Sequence, residues 1–408
     1  MDMLLVLGAA SVLVWLGILL HPARAWDFRP VGEDEPTDFE AGPAGRWPSV
    51  CVLVPARNEA EVLPHTLPAL LQQDYPGQLT VVLVDDRSHD ASGQIARQTG
   101  QRLSASHRLI ILPGAPLPPG WVGKVWALEQ AAAASGLASP GIVHPRQRDC
   151  LPRPQYVLLT DADIRHAPRS VWRLVAESER KQLALNSRMA RLRCVSGAEC
   201  LLIPPFVFFF SLLYPMRWVN NPRRRVAAAA GGCVLLAAAG LEKIGGFASL
   251  KGDIIDDLNL ARRVKRMSPA VRLSLSRTEV SSLRVYDTLS PIWTMVRRTA
   301  FTELNHSALR LLGTLVGLGL LFVLPPVWCV VGLAMALGGA GAIALLLSLE
   351  GGAALGLSAI VYWPAVRFFE LPRRWVWTLP LAGSVYGAMT VDSALRYWTG
   401  RRVGWRDT

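Results

Sequence analysis

The stretch Tyr156-Val157-Leu158-Leu159-Thr160-Asp161-Ala162-Asp163 decides how this chain is read. A short apolar run that stops at acids suits a strand buried on both faces better than a helix. The pattern recurs upstream, where Val81-Val82-Leu83-Val84 runs into Asp85-Asp86. Residues 50–54 are also apolar and end in Pro55-Ala56-Arg57-Asn58-Glu59, and residues 109–112 continue the series. Helical patterns lie between them at 59–71, 92–98 and, rich in alanine, 122–134. Strands alternating with helices predict an α/β fold with a mostly parallel, Rossmann-like sheet. In such sheets ligands bind beyond the carboxyl ends of the strands.

Those ends carry the chemistry. A third acidic pair, Asp256-Asp257, opens the helical pattern at 258–264. One pair alone reads as a helix cap or a solvated loop; three pairs, two of them directly after buried strands, ask for more. Carboxylates gathered at one sheet edge repel unless a divalent cation or a positive ligand joins them. Hard oxygen ligands select Mg²⁺ or Mn²⁺, commonly beside a substrate diphosphate. The turn Pro55–Glu59 lies before a helix whose first N–H groups favour an anion. At a helix N-terminus Asp257 is expected to stay ionised near neutral pH.

The rest of the chain is unlike a soluble enzyme. Of 408 residues 51% are hydrophobic and 18% charged, and the mean hydropathy is +0.28; soluble domains are nearer a quarter charged. Residues 3–20 are 18 uncharged residues, about 27 Å as a helix and enough to span a bilayer. Asp2 replaces a basic leader and no small-residue cleavage site precedes Trp26, so the segment reads as a retained anchor. Arg24 and Arg29 follow it and direct the next domain to the cytoplasm. Residues 311–349 contain no charge; one helix of that length would run about 58 Å, so at least two passes are needed. Residues 351–366 and 375–391 are further uncharged runs. A break at Pro325-Pro326 gives four C-terminal helices and a break at 338–341 gives three, and we adopt three. The predicted organisation is an anchor at 1–22, a Gly- and Pro-rich linker at 42–48 and an α/β domain at 47–305. A transmembrane bundle at 306–395 and a basic tail at 396–408 complete it. A multi-pass protein of a bacterial-type inner (cytoplasmic) membrane follows, with the α/β domain in the cytoplasm.

The net charge of +12 suits nucleic acid, lipid headgroups or phosphorylated substrates. No basic groove studded with aromatic residues is evident, which argues against nucleic acid. A transporter would carry ionisable residues inside its spans, and only Glu350 and Asp392 come close. The six cysteines (Cys51, Cys150, Cys194, Cys200, Cys233 and Cys329) show no metal or disulfide spacing, so no disulfide partner is expected.

The strings VLVPARNEA (52–60), VVLVDDRSHD (81–90), LTDADI (159–164) and IIDDLNLARR (254–263) together resemble the family-two inverting glycosyltransferases with their GT-A fold. The similarity extends through PPGWVGKVWAL, FVFFFSLLYP and NPRRRVAAAAGGC, and is closest to the hopanoid-associated membrane glycosyltransferases. The resemblance implies a nucleotide-sugar donor, typically a uridine diphosphate sugar, and a lipid acceptor. It implies donor contacts from Pro55, Arg57, Glu59, Asp85 and, more directly, Asp86. Asp161 and Asp163 match the D-x-D, with Asp163 as metal ligand and Asp161 against ribose, diphosphate and metal. Lys124 matches a donor-binding lysine. Asp257 matches the catalytic base, with Asp256 beside it. One departure matters. Processive members carry Q-x-x-R-W near the membrane, and here the stretch reads Trp293-Thr294-Met295-Val296-Arg297-Arg298-Thr299. Arg297 and Arg298 remain for the diphosphate, but the Gln and the following Trp are gone. A single transfer to a lipid is therefore expected rather than polymer synthesis. Transfer to polyprenyl phosphate, and a non-catalytic transporter or scaffold, are the alternatives.

Residues 201–213, LLIPPFVFFFSLL, precede Arg217 and Arg223–Arg225. Too short to span and basic at one edge, the segment at 198–225 is expected to lie at the membrane surface, with Phe208, Phe209 and Arg224 toward lipid.

Overall fold

A computed structural model describes residues 2–30, 46–142, 152–253 and 255–400. Cys150, Arg401, Arg402 and Arg406, most of the expected linker and most of the basic tail lie outside the described residues. The chain divides into a sheet unit, Pro30–Arg193 with Trp218–Arg284, and a helical unit, Met1–Arg29 with Cys194–Arg217 and Val285–Val403.

The sheet unit is built on β1 (Val50–Ala56), β2 (Leu79–Asp85), β3 (Leu109–Pro113), β4 (Tyr156–Thr160), β6 (Leu185–Met189), β7 (Cys233–Ala237) and β8 (Val271–Leu275), in the order β3-β2-β1-β4-β7-β6-β8. All seven residues of β1 are buried, as its uninterrupted apolar sequence requires of a central strand. β7 alone runs antiparallel to its neighbours. The mostly parallel sheet expected from sequence is thus observed, with one reversal. A second, two-stranded sheet pairs β5 (Ile164–His166) with β9 (Val280–Ser282).

Helices α2 (Leu63–Leu71), α3 (Ser92–Arg102), α4 (Gly123–Ala134), α5 (Ser170–Lys181), α8 (Ala238–Lys243) and α9 (Asp256–Met267) complete the unit, and α7 (Met216–Val219) leads back into it. The first of these starts four residues later than the sequence pattern suggests. The amides of Val62 and Leu63 both turn back to the Glu59 carbonyl, and Pro64 occupies the first turn, where a missing N–H does no harm. The reversal of β7 positions the site. Because it runs against β4, its beginning pairs with the end of β4, Cys233 opposite Thr160. Gly231 and Gly232 are thereby brought to the edge where Asp161 emerges.

The helical unit contains α1 (Asp2–Leu20), α6 (Gly197–Leu213), α10 (Leu289–Glu303), α11 (Ala308–Leu318), α12 (Leu324–Leu337), α13 (Gly341–Phe368) and α14 (Leu379–Trp398). Among the described residues four stretches are long and apolar enough to cross a membrane: Met3–Leu20, Gly197–Val219, Ala308–Leu337 and Gly341–Phe368. A π-helical turn, Gly319–Val323, joins α11 to α12, so the helix runs on through Pro325-Pro326. The Leu321 carbonyl, which Pro325 cannot serve, accepts the Trp15 indole N–H at 3.4 Å. The break falls at 338–340, where Gly339 has φ +87, a value glycine adopts readily.

The segment at 201–213 differs from expectation. It is the body of α6, opened by a Ser196–Glu199 capping box, and 197–219 as a whole is long enough to span. Phe208 is fully buried, against Phe28 and Tyr362. Phe209 is half-buried, edge-on to Phe322 and Tyr386. Phe208 therefore faces protein, not lipid; the helix is exposed at Leu213 instead.

Candidate active site

Four chain segments meet at the carboxyl edge of β1 and β4. They are Pro55, the Thr160–Asp161 turn, Gly231 before β7, and Asp256–Asp257 at the start of α9; with Lys124 on α4 they line one cleft. Asp257 lies in the first turn of α9 and its Oδ2 accepts the Gly231 amide at 2.8 Å. A Cβ on Gly231 would lie 3.1 Å from Lys124 Nζ and 3.3 Å from Asp257 Oδ2. Glycine there leaves room for the ammonium and the carboxylate, which a Cβ would crowd by a few tenths of an ångström.

Lys124 is the electrostatic centre. Its Nζ lies 2.9 Å from Asp161 Oδ1 and 3.6 Å from Asp256 Oδ2. Burial pulls its pKa down, but Asp161, Asp256 and Asp257 together more than reverse this, so it stays charged. Asp161 is raised, chiefly by burial, with Lys124 opposing and Asp163 adding to the rise. Asp257 is pushed up to about 6 by burial and then by Asp256; Lys124 and the amides of Leu258 and Gly231 oppose the shift. The helix N-terminus that was expected to hold this carboxyl low is outweighed by desolvation.

Asp163 is buried and held from a distance in sequence. Ser282 donates to its Oδ2 at 2.9 Å, and Arg284 Nε lies 3.4 Å from the same oxygen. The Arg284 guanidinium also reaches Glu59 Oε1 at 3.0 Å, tying the turn after β1 to the D-x-D. Neither Ser282 nor Arg284 was singled out from sequence; nothing in their local pattern marks them. Thr160 donates to the Gly232 carbonyl at 2.9 Å and meets His166 Nε2 at the same distance. His166 is buried, and burial pushes it down to about 4, so its imidazole is neutral.

Asp85 and Asp86 divide their work. Asp85 Oδ1 accepts the Ser88 amide, a turn-forming role. Asp86 is buried, and its Oδ2 makes no hydrogen bond; Arg57 Nη1 is 3.7 Å away. Burial raises Asp86, with Arg87 and Arg57 opposing. A buried acceptor without a donor is costly and suits a ligand N–H. Arg297 and Arg298 lie on α10 in the helical unit, where Arg297 Nη1 is 3.8 Å from Asp392 Oδ2 and Arg298 is exposed.

Among the described residues no three Asp, Glu, His or Cys side chains converge enough to hold a metal alone. Asp161 and Asp163 supply two hard carboxylates, the first paired with Lys124 and the second beside Arg284. Mg²⁺ or Mn²⁺ usually takes one or two such ligands, completing its shell with substrate phosphates and water. The donor set fits such an ion.

The family described as "Glycosyltransferase like family 2" matches residues 48–284. "Probable glycosyltransferase YdaM" of Bacillus subtilis (strain 168) is 34% identical over 89 residues, 22% of this chain and 20% of that protein. The match thus spans about a fifth of that relative's length. Among solved structures, the mannosyltransferase PcManGT from Pyrobaculum calidifontis in complex with GDP-Man and Mn²⁺ is similar over 98% of this chain and 99% of its own. The TM-score is 0.51 at 16% identity, a likeness of fold that agrees with the GT-A-like sheet. Glucosyl-3-phosphoglycerate synthase from Mycobacterium tuberculosis, with Mg²⁺ and uridine diphosphate, aligns over 64% of this chain and 79% of its own, with 18% identity and a TM-score of 0.39.

Proposed function

The chain belongs to the glycosyltransferases like family 2, and from that premise we propose that it is a membrane-bound, inverting transferase moving one sugar from a nucleotide sugar to a lipid acceptor, of which a hopanoid is the example its motifs most resemble. The observation that carries this is the cleft in which Lys124 is surrounded by Asp161, Asp256 and Asp257. It combines a cation for a diphosphate with a carboxyl poised near neutrality.

The donor is taken to be a uridine diphosphate sugar. Asp86, buried with an unsatisfied oxygen, accepts an N–H from the base, and Lys124 turns from Asp161 toward the diphosphate. Asp161 and Asp163 are the residues that would hold Mg²⁺ or Mn²⁺, which would neutralise charge growing on the leaving diphosphate. Ser282 and Arg284 keep Asp163 oriented. Asp257 accepts the proton of the acceptor hydroxyl as that oxygen bonds to the anomeric carbon and the bond to the diphosphate breaks. Displacement in one step from the opposite face inverts the configuration. Four stretches among the described residues, able to cross a membrane by length and composition, favour an acceptor that is itself a lipid.

The test is a panel of nucleotide sugars incubated with purified protein and a membrane-lipid extract, with new glycolipids identified by mass spectrometry. Binding of a uridine diphosphate sugar is titrated in parallel, with and without Mn²⁺, on wild type and Asp163→Ala. A new glycolipid, and metal-dependent binding lost in the variant, are expected. Equal affinity in all four titrations would remove Asp163 from the site.

A further inference from the structure

The end of α7 and the loop that follows it, residues 218–226, have their backbone tied down from two sides. Lys265, on α9, points its ammonium into the carbonyls of Trp218, Val219, Asn221 and Val226, at 3.4, 2.5, 3.2 and 2.7 Å. The Asn220 side chain imitates a strand beside the edge strand β8: Nδ2 donates to the Leu273 carbonyl at 2.9 Å and Oδ1 accepts the Leu273 amide at 2.7 Å. Asn221 closes the turn, its carbonyl taking the Arg224 amide and its Oδ1 the Arg223 amide. Pro222, Arg223, Arg224 and Arg225 are left exposed at the tip. The Arg224 guanidinium lies 5.0 Å above the Trp218 ring. Among the described residues no carboxylate pairs with any of the three arginines.

Lys265 is itself almost fully buried, so a cation is spent on shaping this loop rather than on an ion pair. The loop then presents three adjacent, uncompensated positive charges on a fixed backbone. Guanidinium forks match phosphate oxygens, and a backbone already ordered loses little entropy on binding. The loop also follows directly, along the chain, the stretch Gly197–Val219 that is long and apolar enough to span, and Arg217 marks that junction. A tryptophan beside basic residues at the end of an apolar helix is the pattern of a membrane–water boundary.

We propose that the segment 218–226 is a preformed docking plate for the phosphate headgroups of an anionic lipid leaflet, shaped by Lys265 and Asn220. The proposal rests on the membrane-bound part of the function above and not on the chemistry of Asp257.

The test uses the full chain in detergent, titrated with phosphatidylglycerol, phosphatidylcholine or inorganic phosphate and followed by native mass spectrometry. Each arginine near an anionic headgroup layer is worth about fivefold, so three are worth on the order of a hundredfold at low salt. Wild type is expected to prefer phosphatidylglycerol, and the triple variant Arg223→Gln/Arg224→Gln/Arg225→Gln to lose most of that preference. Lys265→Met keeps all three arginines yet should bind several-fold more weakly, because the plate is no longer held; Arg224→Gln alone gives a milder loss should the triple variant misfold. An unchanged preference in the arginine variants overturns the plate. Full affinity in a folded Lys265→Met overturns its preorganisation. Equal competition by inorganic phosphate points to a free anion rather than a lipid. A chain that selects phosphatidylglycerol but transfers no sugar would overturn the proposed reaction alone, and the converse result the plate alone.

Discussion

Asp257 stands where burial and Asp256 push its carboxyl up while Lys124 and two backbone amides push it down, and burial prevails at about 6. A base is active only when deprotonated, so the transfer rate should rise with pH through about 6 and level off above it. Below that value the carboxyl carries its proton and the rate should fall about tenfold per pH unit. Asp257→Asn should keep donor affinity and lose about 10²–10⁴ in rate, as the removal of a general base typically does. A histidine could mimic such a profile, but His166 titrates near 4. Its role is to meet Thr160, which in turn holds the Gly232 carbonyl. His166→Gln should therefore lower thermal stability by about 1–3 kcal/mol, the scale of one disturbed buried hydrogen bond, without moving the inflection in the rate profile. An inflection that follows His166 rather than Asp257 would reassign the base.

Elements show which features local sequence could carry. Short apolar runs, two of them stopping at acids, gave β1, β2 and β4, because burial on both faces leaves an unbroken hydrophobic run. β6 is fully buried yet reads Leu-Asn-Ser-Arg-Met, since its polar groups are met inside the fold: Arg188 pairs with Glu177 at 2.9 Å and Asn186 bonds the Leu174 carbonyl. No hydrophobic pattern could reveal it. The partners of Asp163 were hidden for a similar reason, since Ser282 and Arg284 reach it only after the chain has passed through most of the sheet. The C-terminal helices were ambiguous because Pro325-Pro326 reads as a break unless a π turn and Trp15 serve the freed backbone. Their packing makes a further prediction. A Cβ on Gly351 would lie 2.5 Å from the Cys329 amide and 2.6 Å from the Pro325 carbonyl, so α12 and α13 touch backbone to backbone, as small residues allow between apolar helices. Gly351→Leu must separate them and should lower the melting temperature in detergent by several degrees, at roughly 1–3 kcal/mol for overpacking. Gly356→Leu on the same helix, with open space at its Cβ, should change it little. Equal effects from the two would mean the helices do not meet at Gly351.

At the scale of the molecule, the chain leaves the sheet unit and returns to it around α6, so the family-matching span 48–284 is not one continuous domain. It contains α6 but not the helices that cover it. Phe208 packs on Phe28 and Tyr362, Phe209 on Phe322 and Tyr386, and the Tyr386 hydroxyl donates to the Leu202 carbonyl; all of those partners lie outside 48–284. Uncovering the fully buried Phe208 alone forfeits about 1.5–3 kcal/mol of burial, a sizeable part of the 5–15 kcal/mol that typically holds a domain together. It also leaves a contiguous aromatic face in water, a surface that drives association. A fragment of residues 46–284 is therefore expected to aggregate without detergent and to elute as a monomer only in its presence. Gel filtration with light scattering makes the comparison. The variant Phe208→Ser/Phe209→Ser in the same fragment should move the balance toward monomer, because it removes the uncovered rings while leaving the seven-stranded sheet untouched. A fragment that is monomeric in plain buffer with both phenylalanines in place would show that α6 needs no cover from the helices it packs against here.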